Sequence, residues 1–406
     1  MVPCNHSADR GTEESMPIYD FKEFLRLSSV LNYNLSAASL NRYNVLLFIL
    51  GDKKLRSDSQ IDREEKGIVM EALNYLFRVY SDKRRRLGPM AVLHPLRSAA
   101  LFVRSGAEFN LASLLCALFH DVPEDISITD FDLQQWKDME GQLFNLMERV
   151  GDANERAIVA RLRHLTRNRT ENYYQYIGRL LENTRDASDL VQIKLADRLD
   201  NTLDMRIDLQ DPLGDVDFFR TLFQILFVNN YPGYLPQTEH PPTAVMNGAR
   251  RLYQLFKNAV ILSLIRQVVE ISAESATQTL FDALSDASLL EAQRTLIHLL
   301  GYHHKNLTSQ RALIMEAMAY CYGGRTDLVT KPNPKWRLDG LFSGYFDHPS
   351  KEILNQHLDR LYQDKALMIE TSIAFIVIFL SFLNEPDYFV KGISAAGITP
   401  GSAVSA

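Results

Sequence analysis

Apolar positions along the chain recur at helical spacing, in short blocks separated by polar and turn residues. No run alternates apolar and polar positions long enough to argue for a sheet, so the pattern predicts an all-α fold. Arg42 to Leu50 is a short apolar stretch, and Glu64 to Tyr80 puts Ile68, Ala72, Tyr75 and Leu76 at helical spacing. The His94-Pro95 step reads as a helix start, because proline suits the first turn. Leu96, Ala99, Ala100 and Val103 then share a face, and Gly106 reads as a stop. Asn110 is a capping residue for a helix from Leu111 to about Val122, and Leu190 to Met205 reads as another. Thr371 to Asn384 is the longest uncharged apolar run. It is shorter than the ~20 residues a membrane-crossing helix needs, and predicts a buried core helix.

Residues 1–17 are polar and read as a flexible N-terminus, and 393–406 as a flexible tail. Between them the chain divides into a helical domain at 18–228, a linker or long loop at 229–242 (NNYPGYLPQTEHPP), and a C-terminal helical region at 243–390. A further break falls at Gly323 to Trp336. An apolar fraction of 46% with 23% charged residues excludes a mostly disordered chain. A net charge of −6 argues against a protein built to bind nucleic acid or an anionic membrane. The three cysteines, Cys4, Cys116 and Cys321, lie far apart. They argue against a disulfide framework or a cysteine-based zinc module, and fit a reducing compartment. The first twenty residues lack a secretory signal. The expectation is a soluble cytoplasmic protein; nothing in the pattern speaks to oligomeric state.

The chemistry concentrates in metal-ligand residue types. His94 opens one predicted helix, His120 and Asp121 are adjacent at the end of another, and Asp197 lies on a third. The segment before His120, LASLLCALF, has only Ser113 as a polar residue and should be buried. An imidazole and a carboxylate at the end of a buried helix are costly unless paired or metal-bound. Two imidazoles and two carboxylates suit Mn²⁺, Fe²⁺ or Zn²⁺. On its own the set does not separate a metal site from a hydrogen-bonded structural pair. Glu124 and Asp125 follow in HDVPED, and such crowded acidic groups repel one another without a cation. Pro123 disfavours helical geometry at Val122, so the helix is expected to end or restart there. Lys194, Asp197 and Asn201 share one helix face. A solvated face explains Lys194 and Arg198 equally well, but explains less well Asp197 and Asn201, which sit among Leu195, Ala196 and Leu199.

Three blocks, RRLGPMAVLHPL, LLCALFHDVPED and IKLADRLDN, in that order over roughly Glu64 to Arg206, resemble the HD hydrolase domain of RelA/SpoT homologues and small alarmone hydrolases. The resemblance implies an all-α domain that holds one divalent metal, Mn²⁺ first, with Zn²⁺ or Fe²⁺ as alternatives. It implies removal of the 3′-pyrophosphate from guanosine tetra- and pentaphosphate. Residue by residue, it makes His94, His120, Asp121 and Asp197 the metal ligands, and Glu124 and Asp125 the pair that positions or deprotonates the attacking water. Asn201 matches a substrate-side asparagine, and Arg85 an arginine that stacks on guanine. Arg84 or Arg86 could take that register, and a solvated basic loop is the alternative reading. Lys194, Arg198, Arg167 and the run Lys83 to Arg86 are candidate phosphate-binding cations. Tyr173, Tyr174 and Tyr176 either shape the pocket or, more simply, pack a helix. Asp200 departs from the family pattern and is expected to alter the preference for substrate charge. The strand pattern and basic motifs of the family's synthetase domain are missing from 216–406, so hydrolysis without synthesis is expected. Other readings are an HD nucleotidase or dinucleotide phosphatase that releases orthophosphate, or a non-catalytic nucleotide sensor. His303-His304 reads as a helix-end polar pair.

Overall fold

The structure, a computed structural model, describes residues 41–51, 59–85, 90–184, 187–205, 216–236, 246–269, 275–331 and 335–398, with isolated positions at 21, 23–25, 213 and 239. Residues 1–17, with Cys4, and 399–406 of the expected tail lie outside the described residues.

The described chain is all-α, apart from one small hairpin. Asn41 starts α1 (Arg42–Leu50), its side chain accepting from the Tyr43 N–H at 2.9 Å. Next comes α2 (Ser59–Val79), whose first turn lies upstream of the apolar repeat that predicts it. Pro95 sits in the first turn of α3 (Leu93–Arg104), where its missing N–H has no partner to lose, and Gly106 follows the helix at φ +90°. Asn110 and Ser113 cap α4 (Leu111–Phe119) reciprocally, each side chain accepting from the other's backbone N–H at 2.9 Å.

The helix expected to reach Val122 stops at Phe119. His120 and Asp121 form a turn, and a single helical turn, α5 (Val122–Asp125), restarts with Pro123 at its head. Proline has no N–H to donate and its ring clashes with a carbonyl one turn back, so α4 cannot run through it. The break sets His120 and Asp121 at a corner.

Two further pairs of helices follow, α6 (Leu133–Val150) with α7 (Asp152–Leu165), and α8 (Tyr173–Glu182) with α9 (Asp189–Leu203). The C-terminal part holds α10 (Phe218–Phe227), α11 (Gly248–Val268), α12 (Ala276–His298), α13 (Leu307–Tyr322), α14 (Lys351–Gln363) and α15 (Lys365–Asn384).

Helix α9 is the shared element. It packs on α3, α4, α7 and α8, and also on α11 and α12. Residues from before and after the expected linker therefore belong to one hydrophobic core. Residues 229–236 form neither helix nor strand. Asn258 of α11 is fully buried and satisfies both sides of the joint. Its Oδ1 accepts from Arg198 Nε at 3.0 Å and Nη2 at 2.7 Å, and its Nδ2 donates to Thr202 Oγ1 at 2.8 Å and Ser288 Oγ at 2.9 Å.

The apolar run at 371–384 is the greater part of α15, which begins earlier and reaches 20 residues. By length and composition it could cross a membrane, but 72% of its apolar window is buried inside the protein, against α11, α12 and α13. Phe375 stacks on Phe342 and Phe379, with ring centroids 5.6 and 5.9 Å apart, which marks it as a core helix.

Part of the expected loose tail has a definite place. β1 (Ile393–Ser394) pairs antiparallel with β2 (Gly397–Ile398), Ile393 is buried, and Gln267 donates to its carbonyl at 3.1 Å. Gly178 of α8 lets the hairpin approach, since a Cβ there would stand 2.6 Å from that of Ala395.

Candidate metal centre

Three separate segments bring four ligand atoms to one point. His94 is the second residue of α3, His120 and Asp121 form the corner after α4, and Asp197 lies mid-way along α9. One ligand atom from each falls within 4.8 Å of the others. His94 Nε2 is 3.1 Å from Asp121 Oδ2 and 3.2 Å from Asp197 Oδ1. His120 Nε2 is 3.3 Å from Asp121 Oδ1 and 3.8 Å from Asp197 Oδ1. Donor atoms bound to one ion at roughly 2.1 Å stand roughly 3–3.6 Å apart, so the spacing fits shared coordination.

The outer hydrogen bonds fix both imidazoles. His94 Nδ1 donates to Asp200 Oδ2 at 2.6 Å, and His120 Nδ1 donates to the Ala117 carbonyl at 2.8 Å. Both Nε2 lone pairs then face inward, 3.3 Å apart, among carboxylate oxygens. Such an array needs positive charge at its centre. The electrostatics point the same way. Burial and Arg85 act against protonation of His94, yet hydrogen bonds to Asp121, Asp197 and Asp200 hold its pKa well above the ordinary value. Burial likewise opposes a raised pKa at His120, and Asp121 and Asp197 overcome it. Against burial, the two imidazoles hold the Asp121 carboxyl down at about 2. Asp197 is held well below the usual range, against burial, by Lys194 and both histidines. Imidazole and carboxylate donors together can hold a divalent metal ion.

No protein-family model matches the chain. A stretch of 140 residues, 34% of the chain, is 28% identical to the probable guanosine-3′,5′-bis(diphosphate) 3′-pyrophosphohydrolase of Mycoplasma pneumoniae. The match spans 18% of that relative's length. Together, the partial likeness and the ligand cluster fit a phosphohydrolase.

A cleft of about 580 Å³ opens over the cluster, with His94 and Asp121 in its lining. Arg85 lines it, held by Asp204 at 3.0 Å and donating to Asn201 Oδ1 at 2.5 Å. Arg84 lines it as well, and Arg86 lies outside the described residues. Asn201 also donates to Asp197 Oδ1 at 2.5 Å, so it bridges the arginine and the Asp197 carboxylate. Lys194 is half-buried beside the site, its Nζ 2.6 Å from Asp197 Oδ2. Arg198 lines the cleft but is only 5% exposed.

The acidic pair divides. Asp125 lines the cleft and accepts from the Tyr80 hydroxyl at 3.2 Å, while Lys83 donates to its backbone carbonyl. Burial and the Asp121 charge hold its carboxyl above the usual range. Glu124, exposed as Asp125 is, lies outside the cleft lining and accepts from the Arg167 backbone N–H at 2.8 Å.

Asp200 corrects an expectation. It presents no extra charge to a substrate, because it is 1% exposed and enclosed by Arg97, whose Nε and Nη2 donate to it at 2.6 and 2.9 Å. It orients His94 instead. Tyr174 and Tyr176 are buried in the packing of α8, the latter donating to the Leu165 carbonyl. His304 donates to or accepts from Ser309 Oγ at 2.7 Å, in the π-helical turn region that ends α12.

Sequence reasoning missed Arg97, Tyr80 and Lys257. Arg97 carried a usable signal, since a cation three residues after His94 on an apolar helix needs a buried acid nearby. Tyr80 carried none, because it meets Asp125 only through the fold.

Proposed function

We propose that the protein is a divalent-metal-dependent HD-type phosphohydrolase that removes the 3′-pyrophosphate of guanosine tetra- or pentaphosphate, or of a related nucleotide, and does not synthesise it. The observation that carries this reading is the inward convergence of two imidazole lone pairs and two carboxylates at the floor of a cation-rimmed cleft. His94, His120, Asp121 and Asp197 would hold the metal, first Mn²⁺, which when bound lowers the pKa of a water and polarises a phosphoryl oxygen.

The chain's own groups account for the rest. Asp125 receives the proton of the attacking water, and its raised pKa makes it a better base than an ordinary carboxylate. Tyr80 orients that carboxylate through its hydroxyl. As the water oxygen bonds to phosphorus, the bond from phosphorus to the 3′ oxygen breaks, and that oxygen leaves as a hydroxyl once it gains a proton. Lys83, Arg84, Arg85 and Arg198 face the phosphate charge from the cleft wall. Asn201 and Lys194 position Asp197. Glu124 supports the corner through Arg167. A net charge of −6, with cations gathered in one cleft, favours a small nucleotide over a nucleic acid as the partner.

The test is a substrate panel. Purified protein with Mn²⁺ should release pyrophosphate from guanosine tetraphosphate, and His120→Ala should abolish the release. Orthophosphate release from nucleoside monophosphates, or no turnover at micromolar enzyme, would overturn the assignment.

A further inference from the structure

The cleft also carries a cation, Lys257, from beyond the stretch that bears the family resemblance. Helix α11 contributes Gln254 and Lys257 to its lining. Two of the cleft's cations have carboxylate partners: Lys83 pairs with Asp130 at 2.8 Å, and Arg85 with Asp204 at 3.0 Å. Arg198 and Lys257 differ. Arg198 donates to amide and carbonyl oxygens, those of Asn258 at 2.7–3.0 Å and of Gln254 at 3.3–3.4 Å. Lys257 makes no ion pair among the described residues, and its ammonium lies 5.2 Å from the centroid of the Tyr253 ring. Burial, then repulsion from Arg198 and Lys194, pushes its amine well below the usual lysine range. Two cations with neutral partners, partly withdrawn from water on one cleft wall, are stabilised by an anion that pairs with both.

We propose that Lys257 and Arg198 form a phosphate-binding subsite for the phosphate chain that the metal centre does not cleave, the 5′-diphosphate of a nucleotide phosphorylated on both sides of the ribose. The C-terminal helical region is then part of the substrate site through α11. The naming of the nucleotide rests on the hydrolase reading, whereas the binding of a diphosphate does not.

Guanosine 5′-diphosphate is the probe, with guanosine as its phosphate-free control, titrated by calorimetry into the full-length protein. One charge-assisted contact gives about tenfold to a hundredfold in affinity. Lys257→Met should weaken diphosphate binding by that factor and leave guanosine unchanged, and Lys257→Arg should restore most of it. In turnover the loss should fall on KM, with kcat changed less than about threefold. A measurement on the wild type removes any dependence on variant folding: the diphosphate should shield Lys257 from an amine-acylating reagent, read by peptide mass spectrometry. Unshielded Lys257, or equal diphosphate affinity in wild type and Lys257→Met, overturns the subsite. If no nucleotide is hydrolysed but diphosphate binding depends on Lys257, the subsite stands and the hydrolase reading falls. If pyrophosphate is released with the same KM by Lys257→Met, the reverse holds.

Discussion

Asp200→Asn separates an orienting carboxylate from a substrate-facing one. The wild-type carboxylate accepts from His94 Nδ1 at 2.6 Å, Arg97 Nε at 2.6 Å and Arg97 Nη2 at 2.9 Å. The amide keeps the volume, loses the charge, and turns one acceptor into a donor that faces donors. Arg97, 3% exposed, is left with Asp204 at 3.2 Å as its nearest carboxylate. Breaking a buried ion pair costs about 3–5 kcal/mol, and Asp204 retains part of it, so a loss of about 2–3 kcal/mol is expected. Loss of the hydrogen bond behind a ligand imidazole should weaken metal binding by about 10–100-fold. Denaturant unfolding of metal-stripped protein reads the first, and competition with a chelating dye the second. Burial opposes ionisation of Asp200, but Arg97 and His94 hold its folded-state pKa below the unfolded value. Its contribution is therefore complete above the ordinary carboxylate pKa of about 4 and is lost as pH falls below it. The stability gap between wild type and Asp200→Asn should close over that acid range. Equal unfolding midpoints at neutral pH, with unchanged metal affinity, would refute the orienting role.

Asp125→Asn should lower kcat by about 10²–10⁴-fold, as for loss of a general base, and Glu124→Gln by less than about tenfold; equal losses would contradict the division of the pair. Because burial and Asp121 hold the Asp125 carboxyl above the usual range, and the base must be ionised, activity should fall on the acid side at a pH above that of an ordinary carboxylate. Tyr80→Phe removes the hydrogen bond that stabilises the ionised form and should move that limb to higher pH in a rate profile. Arg251 and Glu291 form a buried pair between α11 and α12, so Glu291→Gln should destabilise by about 3–5 kcal/mol in denaturant unfolding while turnover per folded molecule holds.

The fold class and the starts of α3 and α4 were legible because their causes are local. Asn110 announces α4 by the cap it makes, and Pro95 suits a first turn. The four side chains that cluster could be singled out because each combines a metal-binding residue type with an apolar setting. What could not be read depends on partners distant in sequence. Asp197 and Asp200 lie three apart on one helix, and His94 and Arg97, 106 and 103 residues from Asp200, assign that carboxylate to orientation. Glu124 and Asp125 are neighbours that meet different partners, the Arg167 N–H and the Tyr80 hydroxyl, both distant in sequence. The start of α15 was hidden because its first turns carry Lys365 and Glu370, and Glu370 is buried close to Arg337, at 3.4 Å. The hairpin at 393–398 forms from small residues of low apolarity, which find their place only against Gly178 and Gln267.

The most direct measurement is anomalous diffraction from crystals grown with Mn²⁺, collected at a wavelength where manganese scatters strongly. A single strong peak bounded by His94 Nε2, His120 Nε2 and the Asp121 and Asp197 carboxylates is the predicted result. Metal-replete crystals with no peak at that point, or with the ion held by other side chains, would contradict it.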